Sequence, residues 1–422
     1  MEDRLWVWGG RPLEGEVRLP AAKNSVLPLL AASLLCSGPV VLHGVPPLSD
    51  VQQSILLLQA LGCRVNWQNG GLAIQPPVQP PCGVLPAGPV RAMRSSVFYL
   101  APVLHAAGRV SMPMPGGCDL GPRPIDIHLD GLVKMGARVA WQQGVLCLEC
   151  PPRGLHGADI TLRLPSVGAT ETLLMAAVRA HGPTVLRGAA CEPEIADLAD
   201  FLRSCGAHIS GAGSPVVWVQ GADRLGGAEH TPIPDRIVAA TAAAAVAGTG
   251  GQVLLRRCRG EALGQVLEVL RNAGCEVTLT QNGLCIARSG PLQGVGRVYT
   301  GIYPAFATDA APVVAAGLLT ARGASAFEDT IFENRFSCAE GFLAMGAQVR
   351  RAGRALEILG GGRLHGAEVT AQDLRGGAAL VVAALAAEGE SRIGGLCHIR
   401  RGYADIAALF GGLGAELGVC AG

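Results

Sequence analysis

Aromatic side chains are scarce, at 4% of a 422-residue chain whose hydrophobic fraction is 49%. The interior must therefore be built from closely packed Ala, Val, Leu and Gly, which suits tight layers of helix and sheet. Neither sign of charge is in excess. With 34 basic and 33 acidic residues the net charge is +1, which offers no field for nucleic acid or an anionic membrane surface. Any anion site must be local. Long apolar runs are also missing: those near 239–247, 310–319 and 378–387 fall short of the roughly 20 residues a membrane span needs. The start, Met1-Glu2-Asp3-Arg4-Leu5-Trp6, carries acids and no apolar core of a signal peptide, so a cytoplasmic location is expected. The 14 cysteines show no paired framework and read as free thiols in a reducing compartment. Cys147 and Cys150 form a CxxC, but both fall in an apparent strand, where residues three apart face opposite sides, and no second pair lies at zinc-ribbon spacing. No glycine cluster opens a helix after a strand in the G-x-G-x-x-G manner. Neither a metal nor a cofactor is expected.

What the chain does have is a sixfold internal repeat. A signature of an apolar residue four before Gly, then Ala or Cys, one spacer and a branched aliphatic residue recurs at Leu58–Val65, Leu132–Val139, Leu202–Ile209, Leu270–Val277, Phe342–Val349 and Phe410–Leu417. The period is about 70 residues. Gly62, Gly136, Gly206, Gly274, Gly346 and Gly414 are each expected in the left-handed conformation that closes a helix. Upstream of each signature the order is the same: an almost wholly apolar helix, a Gly, a short strand, a polar loop and an amphipathic helix. Each unit reads β, α, β, α, β, β. The apolar helices, near 25–35, 95–107, 170–178, 237–247, 310–319 and 378–387, have no polar stripe and must be covered on all sides, with sheets outside them. The expected architecture is α/β, with two domains of three βαβαββ repeats. One domain spans 22–233, and the other takes 1–21 together with 234–422.

Each buried helix is preceded by polar residues that differ between units: Lys23 and Asn24, Arg94, Ser166 to Gly168, Asp235 and Arg236, Thr308 and Asp309, Asp373 and Arg375. Helix starts expose free N–H groups and a positive dipole end, so such positions favour anions. Lys23, Arg94, Arg123, Arg375 and Arg401 add cations. Any one of these taken singly is better explained as a cap or a solvated charge; their coincidence across repeats is what points to a site. Between a strand and a helix, Pro113 to Pro124 is dense in Gly and Pro and reads as an exposed, hinged loop carrying Cys118 beside Arg123.

At these residues the chain resembles the UDP-N-acetylglucosamine enolpyruvyl transferases. The likeness runs from Trp8 to Leu417. It is carried by Ala22-Lys23-Asn24, Met93-Arg94-Ser95-Ser96, Pro115-Gly116-Gly117-Cys118, Arg123-Pro124-Ile125-Asp126, Pro165-Ser166-Val167-Gly168-Ala169-Thr170, Glu192-Pro193-Glu194-Ile195, Pro234-Asp235-Arg236-Ile237, Phe332-Glu333-Asn334-Arg335-Phe336, Asp373-Leu374-Arg375 and Arg401-Gly402-Tyr403. The resemblance implies an inside-out α/β barrel used twice. It also implies transfer of enolpyruvyl from phosphoenolpyruvate to the 3-hydroxyl of the sugar of UDP-N-acetylglucosamine, with release of phosphate, as the first committed step of peptidoglycan synthesis. Both substrates are then the partners, and a monomer is expected.

By the same resemblance Cys118 is the proton donor and adduct-forming thiol, and Asp309 orients or deprotonates the sugar hydroxyl. Lys23, Arg123 and Arg401 cradle phosphoenolpyruvate, and Arg94 bridges toward the nucleotide sugar. Asn24, Arg123, Pro124, Ile125, Asp126, Ile127, Leu164, Pro165, Ser166, Val167, Gly168, Asp309 and Ile331 resemble substrate contacts, and Asp373 and Arg375 line the catalytic face. Ser49, Leu164, Cys191, Val238, Arg400 and Ser337-Cys338 depart from the usual pattern, and Tyr303-Pro304-Ala305-Phe306-Ala307 replaces a tighter His-Pro segment. Two rivals follow from the resemblance: transfer to shikimate 3-phosphate, against which the Cys118 loop argues, and an idle regulator that only binds the nucleotide sugar.

Overall fold

The structure, a computed structural model, describes residues 3–68, 70–117 and 124–421. The chain divides into two compact units, one holding the residues up to Pro20 and those from Pro234 onward, the other the residues from Ala21 to Ile233. Among the described residues there are six sheets, five of four strands and one of three.

In the Ala21–Ile233 unit, the helices Lys23–Ala32 and Val167–Ala177 are buried nearly along their whole length, and the 3-10 helix Arg94–Tyr99 with the helix Leu100–Ala107 that follows it is buried over its middle. In the other unit the same places are taken by Arg236–Thr249, Ala311–Gly317 and Leu374–Ala386. A six-residue 3-10 helix, Arg94–Tyr99, takes the start of the helix expected over 95–107, and a three-residue one, Thr308–Ala310, leads into that expected over 310–319. Pro102 and Pro312, in the first turns of the α-helices that follow, cannot donate a backbone hydrogen bond to Phe98 or Thr308.

Scarcity of aromatics has a structural counterpart in how close these helices come. A Cβ placed on Gly317 would lie 2.4 Å from the Ala244 carbonyl oxygen of the neighbouring helix, so only glycine lets the two backbones touch. All six repeat glycines from Gly62 to Gly414 have φ between 84° and 102°, and each is followed by the turn into a strand. Amphipathic helices such as Ser49–Ala60 and Pro193–Ser204 bury one face and wet the other.

Two strand exchanges between distant parts of the sequence close the rings. Leu13–Arg18 runs parallel to Gly251–Arg256 in one unit, and Ala228–His230 runs parallel to Val40–His43 in the other. The last repeat takes its final strand from the beginning of the chain, as Arg4–Gly9 pairs antiparallel to both Gly389–Gly394 and Glu416–Cys420. The second repeat is the exception: its first strand shrinks to a single bridge between Val84 and Ser111, which leaves the Arg109–Pro113 sheet with three strands. No described helix is long and apolar enough to cross a membrane.

Candidate functional site

In the Ala21–Ile233 unit the starts of the buried helices gather charge. Lys23 is the first residue of its helix and is buried, with Nζ 2.7 Å from Asp50 Oδ2. Asp50 is buried too, in the first turn of the Ser49–Ala60 helix. An ammonium group held this way keeps its charge at a fixed place. Asn24 follows, half-buried. Arg94 opens the 3-10 helix that packs on the Lys23 helix.

Two other predicted segments come together in the same unit. Asp126 opens the Asp126–Lys134 helix, and its carboxylate receives a hydrogen bond from Arg163, next to Leu164 in the chain. That bond, helped by the Ile127 N–H, holds the Asp126 carboxyl below its usual range. Two residues on, His128 is buried and its Nδ1 lies 2.9 Å from Thr172 Oγ1 on the Val167–Ala177 helix. Burial pushes the His128 imidazole down to about 3, with the Arg94 charge adding to it. Across from it, a Cβ on Gly168 would meet His128 Cε1 at 3.1 Å. Ser166 caps the helix by accepting the Ala169 N–H at 3.3 Å. The Asp126–Lys134 helix thus packs on the Val167–Ala177 helix, and the Asp126 and Arg163 side chains join the segments that precede them. Pro124 and Leu164 are exposed, Ile125 is buried, and the rest are half-buried. Cys118 and Arg123 lie outside the described residues.

Deeper in this unit stands Glu171, a carboxyl on the buried helix. Burial raises it well above its usual range, and the charges of Glu194 and Glu192 push the same way.

The other unit has a second centre around Asp309, whose side chain is 28% exposed, enough to meet a ligand. Arg375 Nη2 donates to Asp309 Oδ2 at 2.8 Å, and Arg335 Nη2 lies 3.3 Å from Oδ1. Burial disfavours charge on Arg375, but the neighbouring carboxylates of Asp309 and Asp235 and the Tyr403 phenol outweigh it and hold the guanidinium above its usual range. Arg335 also donates from Nε to Thr308 Oγ1 at 2.9 Å and lies 3.6 Å from Asp329 Oδ2. Asp329 is fully buried and accepts the Ile331 and Phe332 N–H groups at 2.8 and 2.6 Å. Ile331, 42% exposed, is thereby fixed beside this cluster. Asp373 is the N-cap of the Leu374–Ala386 helix, accepting the Arg375 and Gly376 N–H groups and the Ser337 hydroxyl. Its observed role is therefore to position the Arg375 turn. Tyr403, two residues after the half-buried Arg401, is buried by the same helices and shares a 2.7 Å hydrogen bond with Thr241.

The segment before Asp309 is tighter than its sequence suggests. Gly301 N donates to Phe306 O at 3.0 Å, Ala305 N to Ile302 O at 2.9 Å, and the Tyr303–Pro304 bond is cis. Phe306 is fully buried with its ring 6.0 Å from that of Phe327, so the segment is a closed turn. Arg236 lies over the Tyr303 ring, 5.7 Å from its centroid, at a small concavity also lined by Glu261 and Ala310.

Sequence reasoning did not give roles to Arg335, Asp329 or Asp50. Arg335 carried a signal, a charge set between Phe332 and Phe336 in a motif already noted. Asp50 reads as an ordinary acid in a first helical turn, and Asp329 as a loop residue. Among the described residues no three His, Cys, Asp or Glu side chains gather as a metal site would require.

Each unit thus carries a cation–carboxylate pair at the start of a buried helix, Lys23–Asp50 in one and Arg375–Asp309 in the other. The chain belongs to the EPSP synthase (3-phosphoshikimate 1-carboxyvinyltransferase) family, whose model matches residues 7–409. Within it, the chain is 41% identical to the UDP-N-acetylglucosamine 1-carboxyvinyltransferase of Oleidesulfovibrio alaskensis over 98% of this chain and 99% of the relative. It is 43% identical to UDP-N-acetylglucosamine 1-carboxyvinyltransferase 1 of Symbiobacterium thermophilum, over 98% and 95%. Among solved structures, the enolpyruvyl transferase NikO from Streptomyces tendae superposes with a TM-score of 0.87 at 23% identity, covering 99% of both chains. The EPSP synthase of Acinetobacter baumannii gives 0.76 at 17% identity, over 99% of this chain and 100% of the other. At those identities the two structures speak for the fold.

Proposed function

We infer that this chain transfers the enolpyruvyl group of phosphoenolpyruvate to the 3-hydroxyl of the sugar of UDP-N-acetylglucosamine and releases phosphate, in peptidoglycan synthesis. The observation that carries this reading is full-length similarity above 40% to transferases of that name. The two centres suit the chemistry. The reaction needs a proton delivered to the methylene carbon, a proton taken from the sugar hydroxyl, and cations that hold a phosphate and a carboxylate while a tetrahedral ketal forms and collapses.

In this reading Asp309 accepts the hydrogen bond, and then the proton, of the attacking hydroxyl; Arg375 and Arg335 fix the orientation of its carboxylate. Lys23, steadied by Asp50, binds the anionic donor together with Arg401 and Arg123. The Asp126 and Ser166 segments hold the nucleotide sugar, with Arg94 beside them. Cys118 delivers the proton. The work is cytoplasmic and needs one chain, which sedimentation would show as a monomer.

Phosphate release from phosphoenolpyruvate on addition of UDP-N-acetylglucosamine tests this reading. It should be nearly abolished in Cys118→Ala and kept in Cys205→Ala. Release dependent on shikimate 3-phosphate instead would transfer the assignment to that acceptor, and binding of the nucleotide sugar without turnover would leave only a regulator. Fosfomycin, which alkylates the lid cysteine of the family this chain resembles, should add once, at Cys118. An unmodified peptide at full inhibition would contradict that.

A further inference from the structure

All the described cysteines have free thiols, and two of them meet. Cys36 Sγ and Cys205 Sγ lie 3.5 Å apart although 169 positions separate them in the chain. Cys36 ends the 3-10 turn Ser33–Leu35 that continues the Lys23–Ala32 helix, and Cys205 ends the Pro193–Ser204 helix. These helices pack side by side and are tied near their other ends by a hydrogen bond from Ser25 to Asp197.

At the thiol end the backbones are fixed as well. Ser37 N donates to Leu225 O at 2.9 Å, and Gly226 N donates to Cys205 O at 2.7 Å. Both thiols are buried, yet Ser37, Ser204 and Gly206 beside them in the chain are exposed, so the pair sits one residue beneath the surface. Cys36 donates its S–H to the Cys205 sulfur. That hydrogen bond is the main reason the Cys205 thiol is held below its ordinary value, and it raises the Cys36 thiol together with burial. The pair is thus asymmetric: negative charge is more easily held on the Cys205 sulfur, and the Cys36 thiol lies beside it as the hydrogen-bond donor.

We propose that Cys36 and Cys205 form an oxidation site, at which a peroxide converts the two thiols to a disulfide that staples the first repeat of this unit to the third. The Cys205 thiolate attacks one oxygen of hydrogen peroxide and the O–O bond breaks, giving a sulfenic acid and hydroxide, which takes up the proton Cys205 gave away and leaves as water. The Cys36 sulfur then attacks the Cys205 sulfur. The S–S bond forms, the S–O bond breaks, and the leaving hydroxide takes the Cys36 proton to give a second water. The two sulfurs together lose two electrons and the peroxide gains them. The sulfurs must close by about 1.5 Å to reach bonding distance, a movement within reach of side-chain rotation at two helix ends.

Because the linked residues are distant in sequence, the bond restricts the unfolded chain far more than it alters the folded one. It also lies at the opposite end of the helix from Lys23. Its effect is therefore on stability rather than turnover, and the proposal stands whether or not the transferase reading does.

The test is to expose the full chain to stoichiometric hydrogen peroxide, block remaining thiols with iodoacetamide, and map tryptic peptides. The expected product joins peptide 24–64 to peptide 204–224, lighter by two hydrogens, with fragmentation placing the link on Cys36 and not on Cys63, which shares the first peptide. The treated protein should melt several degrees higher, dithiothreitol should reverse the gain, and Cys205→Ala should show none. Recovery of Cys36 and Cys205 both alkylated after peroxide would overturn the proposal, as would a link without any reversible rise in melting temperature. The wild-type peptide map decides the matter even if Cys205→Ala fails to fold.

Discussion

Arg335→Ala should destabilise the unit beginning at Pro234 more than removal of any exposed arginine. The guanidinium is 1% exposed and its charge is balanced by Asp329, 0% exposed, and by Asp309. Its Cζ also lies 4.6 Å from the centroid of the Phe332 ring. Taking it away leaves the buried Asp329 carboxylate without its counter-charge, a change that costs about 3–5 kcal/mol when one partner of a buried pair is removed. Asp329 retains the Ile331 and Phe332 N–H donors and the Thr308 hydroxyl, which places the expectation near the lower end, at about 3 kcal/mol. For a domain of this size each kcal/mol moves the melting temperature by about 2–4 °C, so a loss of roughly 6–12 °C follows. The comparison is Arg350→Ala, which removes a 2.6 Å pair with Glu357 from a side chain 71% exposed and should cost about 0–1 kcal/mol. Calorimetry on both variants decides. Equal melting temperatures for Arg335→Ala and the wild type, or equal losses for the two variants, would refute the claim that burial of the pair is what matters. Adding Asp329→Asn to Arg335→Ala should recover part of the loss, because the stranded charge is then gone.

Asp309→Asn should lower the rate of phosphate release at saturating substrates by about 10²–10⁴-fold, the usual worth of a positioned base; a loss under tenfold would remove Asp309 from the proton path. Glu171 has a raised folded-state value, so its neutral carboxyl contributes stability that is present below the ordinary 4.5 and is lost as pH rises toward the folded value. The melting temperature of Glu171→Gln relative to wild type should accordingly climb as pH rises above 4.5, and parallel profiles would show that Glu171 is not the cause. His128 works in the other direction: lowered from 6.5 to about 3, its neutral ring contributes stability that is full above 6.5 and lost as pH falls toward 3. His128→Gln should flatten the acid-side decline, measured by the same melts, and an unchanged slope would assign that decline elsewhere.

The architecture was legible because it is written six times. Left-handed glycines at one place in the period, and helices with no polar stripe, require closed helix ends and cover on all faces wherever they occur. The details that escaped are those in which one copy differs from the others. The shortened first strand of the second repeat, reduced to the Val84–Ser111 bridge, leaves no mark in the apolar pattern. The 3-10 geometry of Arg94–Tyr99 leaves no mark in it either, since Pro28 stands inside the Lys23–Ala32 α-helix without such a turn before it. The segment from Tyr303 to Ala307 reads as loose because it contains Pro and two Ala; its order comes from Phe306 entering the core beside Phe327, a contact between residues 21 positions apart.

The charged centres show why the site was only half readable. Periodicity marks a slot, the start of each buried helix, and the residues there could be named from the sequence: Lys23, Arg94, Ser166, Asp309, Arg375. What it does not mark is the partner, and the partner sits on a different element in each case. Lys23 is held by Asp50 from the next helix, Asp126 by Arg163 from the following repeat, and Asp309 by Arg375 from the following repeat and Arg335 from its own. A buried charge is tolerable only because another element supplies its counter-charge, from the same repeat for Lys23 and Arg335 and from the preceding one for Arg375. The apolar period therefore does not reach Asp50 or Arg335, because neither stands at the start of a buried helix, and it is the packing of one element on another that holds these ionic groups in a fixed orientation at the helix ends.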